Sequence, residues 1–242
     1  MTFRFNIFAY LVAAVACLLG CSAAFAWTSV DKCAVANPAD PEGILRQLAP
    51  DDSPPLSLAL KPAERARAIR LLVAVKRDET GWHRQLAVYL LATLGHDYQR
   101  NLDELLRVWH RDSDDGTMEL LMRLYEQGHK ELMQPLLAGY NGWNAATSEG
   151  LGTFYSGQLE KDPKDFLAVL ATFPPHRQLS LCTAAGGTDG GGMGPERERK
   201  VLANLKAIGG EVATRCARGV REGSQDADNA NSDLPAEPPK KK

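Results

Sequence analysis

Apolar positions recur with helical spacing along most of this chain, and nowhere do they alternate with period two over a run long enough for a strand. After Pro62, whose missing N–H costs nothing in a first turn, Ala66, Ile69, Leu72 and Val73 mark one face of a helix. Thr80 caps a second helix carrying Leu86, Val88, Leu90, Leu91 and Leu94, and Gly95 is placed to end it in a left-handed conformation. A third begins near Asp97 and buries Leu102, Leu105, Leu106, Val108 and Trp109 before the polar break Asp112-Ser113-Asp114-Asp115-Gly116. Thr117 opens a fourth through Met118, Leu121, Met122, Leu124 and Tyr125 up to Gly128. A fifth holds Leu132, Met133, Leu136 and Leu137, with Pro135 expected to shorten or kink it.

Beyond the loop Tyr140-Asn141-Gly142-Trp143-Asn144, a less regular helix spans about Ala145 to Leu159. Asp162-Pro163 starts the next, with Phe166, Leu167, Val169 and Leu170 inward; Pro174-Pro175 stops it, and a short helix then reaches Cys182. After the glycine-rich stretch from Ala185 to Gly194, Pro195 opens a final helical region through Cys216, bent at Gly209-Gly210. The expectation is an all-α protein of eight or nine short helices, about 12 residues each. Short connections force sequential neighbours into antiparallel pairs. Stacked pairs give a small α-solenoid with a HEAT-like layout, or else an irregular helical bundle.

The two ends depart from this pattern. Arg4, the apolar run Ile7 to Leu19 and the small residues up to Ala26 have the order of a secretory signal peptide, residues 1–26, shorter in its apolar part than the roughly 20 residues a spanning helix needs. Ala24-Phe25-Ala26 suits cleavage before Trp27, whereas Leu18-Leu19-Gly20-Cys21 resembles a bacterial lipobox, which would acylate Cys21 and tether the chain to the cell envelope by lipid. Residues 27–60 read as an extended leader with at most one short helix, 61–222 as the helical domain, and 223–242, rich in Ser, Asp, Asn, Pro and terminal Lys, as a disordered tail.

Export changes the reading of the cysteines. Loss of residues 1–26 leaves Cys33, Cys182 and Cys216 in an oxidising compartment, where Cys182 and Cys216, each near a helix end in the same region, form the expected disulfide. With 28 Lys plus Arg against 30 Asp plus Glu, the formal charge of -2 provides no broad basic field for nucleic acid. No HExxH, CxxC or paired-histidine spacing points to a metal, and no cofactor is implied.

Two segments can bind a ligand. Tyr140, Trp143, Phe154 and Tyr155 sit at a loop and a helix, where aromatic rings can form an exposed contact surface. Thr188 and Asp189 lie in the glycine-rich stretch, whose backbone N–H groups can converge on an anion before Pro195. Glu149, in Ser148-Glu149-Gly150-Leu151-Gly152-Thr153-Phe154-Tyr155, is the one candidate general acid, since glycoside hydrolysis needs a carboxyl set apart by burial. That segment bears a partial resemblance to lytic transglycosylases, but its Ser precedes the Glu and no glycine-rich motif of that kind follows. The expected function is an exported bacterial helical scaffold or binding protein, periplasmic, secreted or lipid-anchored, working through contacts with an envelope protein or ligand. The alternative is a cell-wall glycan hydrolase using Glu149.

Overall fold

The computed structural model describes residues 41–50, 53–140, 145–187 and 193–232, with side-chain surroundings up to residue 227. Residues 1–26, read above as signal-like, and Cys21, Cys33, Trp143, Thr188 and Asp189 lie outside the described residues. Among those described, the protein is all-α, with eleven α-helices and no strand: α1 Pro41–Leu48, α2 Pro62–Asp78, α3 Gly81–Thr93, α4 Tyr98–Asp112, α5 Asp115–Glu126, α6 Met133–Gly139, α7 Ala145–Lys161, α8 Pro163–Leu170, α9 Pro175–Gly186, α10 Pro195–Ile208 and α11 Gly210–Ser232. A single 3₁₀ turn, Lys130–Leu132, precedes α6. The count exceeds eight or nine because the leader contributes α1 and because Gly209 and Gly210, both at positive φ, separate α10 from α11 rather than bend one helix.

Local chemistry explains several helix ends, although Thr80 before α3 makes no side-chain capping bond. Gly95 takes φ +66° after α3, while the Arg65 guanidinium donates to the Leu94 carbonyl and satisfies one of the free C-terminal acceptors. α5 starts two residues earlier than Thr117 because Asp114 is the cap: its carboxylate accepts the Thr117 N–H at 2.9 Å and the Thr117 hydroxyl at 2.6 Å. Pro135 falls in the first turn of α6, where no N–H is required, so the helix is short but unbroken. α11 runs on to Ser232, past Gly223 where composition predicts loss of order, because Ser224 and Ala227 are buried against the protein. Residues 233–242 lie outside the described structure.

Sequential helices pack antiparallel, and this brings alternate helices side by side in parallel. Thr117 near the start of α5 donates to Gln85 near the start of α3, and Gln127 just past the end of α5 donates to Tyr89 and Thr93 near the end of α3. The same register relates α5 to α7: Asp115 accepts from Thr147, and Tyr125 donates to Gln158 at 3.1 Å. One continuous core runs through α1 to α11, with Trp109, Tyr89, Tyr125, Tyr155 and Phe166 as its largest fully buried side chains.

Glu104 on α4 ties three helices together. Its carboxylate takes Lys76 of α2 at 2.8 Å and Arg84 of α3 at 2.8 Å, while buried Asn101 accepts from Lys76 at 2.6 Å and donates to the His96 carbonyl. Burial pushes the Glu104 carboxyl up, but hydrogen bonds and charge from Lys76 and Arg84 outweigh it and hold the group below its ordinary value of 4.5. A depressed folded-state value means that this stabilisation is complete above about pH 4.5 and is lost as pH falls through the folded value. Urea midpoints measured from neutral pH down to about pH 3 should therefore fall less steeply in Glu104→Gln than in the wild type. Parallel curves would show that the cluster carries no linkage.

At the C-terminal end, α9 and α11 are joined by the Cys182–Cys216 disulfide, with Cα atoms 5.1 Å apart and both residues fully buried. Closing a loop of sequence separation 34 contributes about 2–4 kcal/mol by chain-entropy reasoning. The disulfide is consistent with an oxidising, extracytoplasmic location. Among the described residues no helix is long and apolar enough to cross a membrane.

Candidate functional site

A groove of about 500 Å³ runs between the parallel helices α5 and α7. One wall is Asp115, Met118, Glu119, Met122, Arg123 and Glu126; the other is Gly150, Thr153, Phe154, Gly157, Gln158 and Lys161. Both sets follow the same i, i+3, i+4, i+7, i+8, i+11 spacing, so each helix lends one face for three turns, about 16 Å at 1.5 Å per residue. Arg197 at the start of α10 closes the end nearest Lys161.

Met118, Met122 and Phe154 form the floor, a polarizable surface that adapts to different apolar shapes. Phe154 is held edge-on to Tyr125, ring centroids 5.2 Å apart. Glycine keeps the wall low, since a Cβ on Gly150 would lie 2.5 Å from the Met118 methyl. On the rim, Arg123 pairs with Glu126 at 3.3 Å and Glu119 at 3.7 Å. Arg197 reaches Glu160 through Nε at 3.0 Å, and Lys200 meets the same carboxylate at 2.9 Å. The Lys200 hydrogen bond first, then the two positive charges, hold the Glu160 carboxyl below the usual range. A second depression of about 400 Å³, between the end of α7, the start of α8 and the end of α10, shares Lys161 with the groove.

Three of the four aromatic candidates do meet. Tyr140 and Tyr155 ring centroids are 6.3 Å apart, and those of Phe154 and Tyr155 are 6.1 Å apart. They meet inside the molecule: Tyr155 is fully buried with its hydroxyl donating to the Leu136 carbonyl at 2.9 Å, and Phe154 is 9% exposed at the groove floor. Tyr140 is half-buried beneath the Arg177 guanidinium, which also donates to the Leu137, Ala138 and Tyr140 carbonyls at the end of α6. Glu149 stands exposed on the first turns of α7 and is not among the residues lining this groove. Cys182 is committed to the disulfide. Among the described residues no group of three or more His, Cys, Asp or Glu is arranged to hold a metal ion.

The groove residues were legible only in part. Met118 and Met122 share the apolar pattern of α5, but the parallel partner that turns their i, i+4 pair into one wall of a groove is set by tertiary packing. Gln158, Lys161 and Arg197 carry no motif that singles them out. The class defined by fold and site is thus an all-α protein with an open groove between parallel helices. Compared with protein-family models, curated proteins and solved structures, the chain gives no significant match to any.

Proposed function

We propose that this protein is an exported bacterial binding scaffold of the cell envelope, a small helical stack with a HEAT-like layout, whose working surface is the groove between α5 and α7. The observation that carries this reading is the groove itself: two parallel helices presenting matched three-turn faces around an adaptable apolar floor. The parallel register of α3, α5 and α7, with antiparallel helices between them, supports the solenoid layout, since stacked helix pairs repeat in this way. The signal-like N-terminus and the buried disulfide support export.

Two measurements test it. Intact mass of the native protein should show either a chain beginning at Trp27 or a lipid addition at Cys21, with two further alkylations appearing only after reduction. A chain retaining residues 1–26 would end the export reading. A photo-crosslinking residue in place of Met122 should yield a discrete adduct in cells, while the same residue at Glu149, outside the groove, should not. Equal labelling from both positions would remove the groove as the working surface.

A further inference from the structure

Resting on that reading of the groove, we propose that its occupant is a peptide segment carrying a carboxylate beside a bulky apolar side chain. The carboxylate sits at the Gln158, Lys161 and Arg197 end, and the apolar side chain lies over Met118, Met122 and Phe154. Gln158 provides the first reason. It is 8% exposed, its Oε1 accepts the Tyr125 hydroxyl at 3.1 Å, and its amide N–H groups have no protein partner among the described residues although the side chain lines the groove. Among the described residues the buried polar atom without a partner is Ser156 Oγ and not Gln158 Nε2, so water reaches this amide in the free groove, and a ligand oxygen there would replace that water.

Charge at the same end provides the second reason. Lys161 makes no ion pair among the described residues, and Arg197 uses Nε on Glu160 while its Nη groups remain beside Gly157, Nη2 lying 3.6 Å from the place a Cβ would take. Glu160 is engaged by Arg197 and Lys200, Glu126 by Arg123, and Asp162 lies 4.0 Å from Lys130, while Asp165 lines the adjoining depression together with Lys161. Lys161 and the Arg197 Nη groups are thus the cationic donors at the groove's end without an ion pair among the described residues. Because that end lies at the C-termini of α5 and α7, where helix dipoles are negative, a singly charged carboxylate is better tolerated than a phosphate. The apolar side chains lining the groove are Met118, Met122 and Phe154, so the floor is short and accommodates one or two side chains rather than a long acyl chain.

The test is an NMR titration of the mature, oxidised chain, observing methionine methyl groups and glutamine side-chain amides. The probes are N-acetyl-leucyl-leucine with a free carboxylate, its C-terminal amide, and octanoate. The free acid at millimolar concentration should shift Met118, Met122 and Gln158 together, and the amide should bind about tenfold more weakly or worse. The Lys161→Gln/Arg197→Gln double variant, both positions lying at the groove's edge, should reduce the acid to the level of the amide while leaving the remaining spectrum in place. Absence of shifts at those three residues, equal binding of acid and amide, or tighter binding of octanoate would each overturn the assignment. If Met122 still crosslinks a partner in cells when acid and amide bind alike, the scaffold reading stands and only the carboxylate assignment falls.

Discussion

Gly223→Leu is expected to destabilise the protein by about 4 kcal/mol or more, lowering its thermal midpoint by about 10 °C or more, because the side chain would have to enter main-chain atoms of α9. Even a Cβ on Gly223 would lie 2.0 Å from the Thr183 carbonyl oxygen and 2.8 Å from the Gly187 nitrogen. One turn earlier, a Cβ on Gly219 would lie 2.7 Å from the Leu179 carbonyl oxygen, and from the other side a Cβ on Gly186 would meet the Val220 carbonyl oxygen at 2.2 Å. Cys216, Gly219, Val220 and Gly223 thus form a small-residue stripe on α11, spaced i, i+3, i+4, i+7, that lets two helix backbones touch while the disulfide pins them. The informative variant is Gly223→Ala. Helix propensity alone predicts a gain of about 1 kcal/mol, whereas backbone overlap predicts a loss. Urea denaturation with the disulfide intact decides between them, and a stabilised Gly223→Ala protein would mean that the helices are not in backbone contact.

Trp109→Ala should cost about 3–5 kcal/mol, since it removes the largest fully buried side chain and leaves the Pro135 carbonyl without its donor, Nε1 at 3.0 Å. The indole fills the space that Gly139 leaves vacant: a Cβ there would lie 2.1 Å from Cζ2. Gly139→Ala alone should therefore also be destabilising. In combination with Trp109→Leu, the smaller side chain gives the new methyl room, so the two changes should couple favourably by about 1 kcal/mol or more. Additive effects in that cycle would show that the ring does not abut Gly139 as the structure places it.

Much of the architecture follows from local signals that act without a partner. Pro62, Pro163 and Pro195 open helices because a missing N–H costs nothing in the first turn, and Gly95 closes one because only glycine enters the left-handed region cheaply. Apolar spacing of 3.6 marks most helices from α2 to α10, the less regular α7 apart, for the same reason: the periodicity is a property of each helix alone. Errors came where two local signals compete. Thr117 and Asp114 are both good caps, and the carboxylate takes the position while Thr117 bonds to it from within the helix. The run after Gly223 is polar enough to read as tail, yet Gly219 and Gly223 let α11 approach α9 so closely that its far turns gain contacts their composition does not advertise.

By itself, the sequence determined the helical class, most helix starts and stops and a signal-like N-terminus, because each depends on residues close together along the chain; it pointed to the Cys182–Cys216 pairing, but the packing of α9 on α11 is what brings the two within bonding distance. Tertiary structure alone decided which helices lie parallel, that Phe154 and Tyr155 turn inward while Glu149 faces solvent, and that Met122, Gln158, Lys161 and Arg197 share one groove. Those outcomes depend on contacts between segments more than 30 residues apart, such as Tyr125 with Gln158 and Arg197 with Glu160. No periodicity within a single helix encodes them.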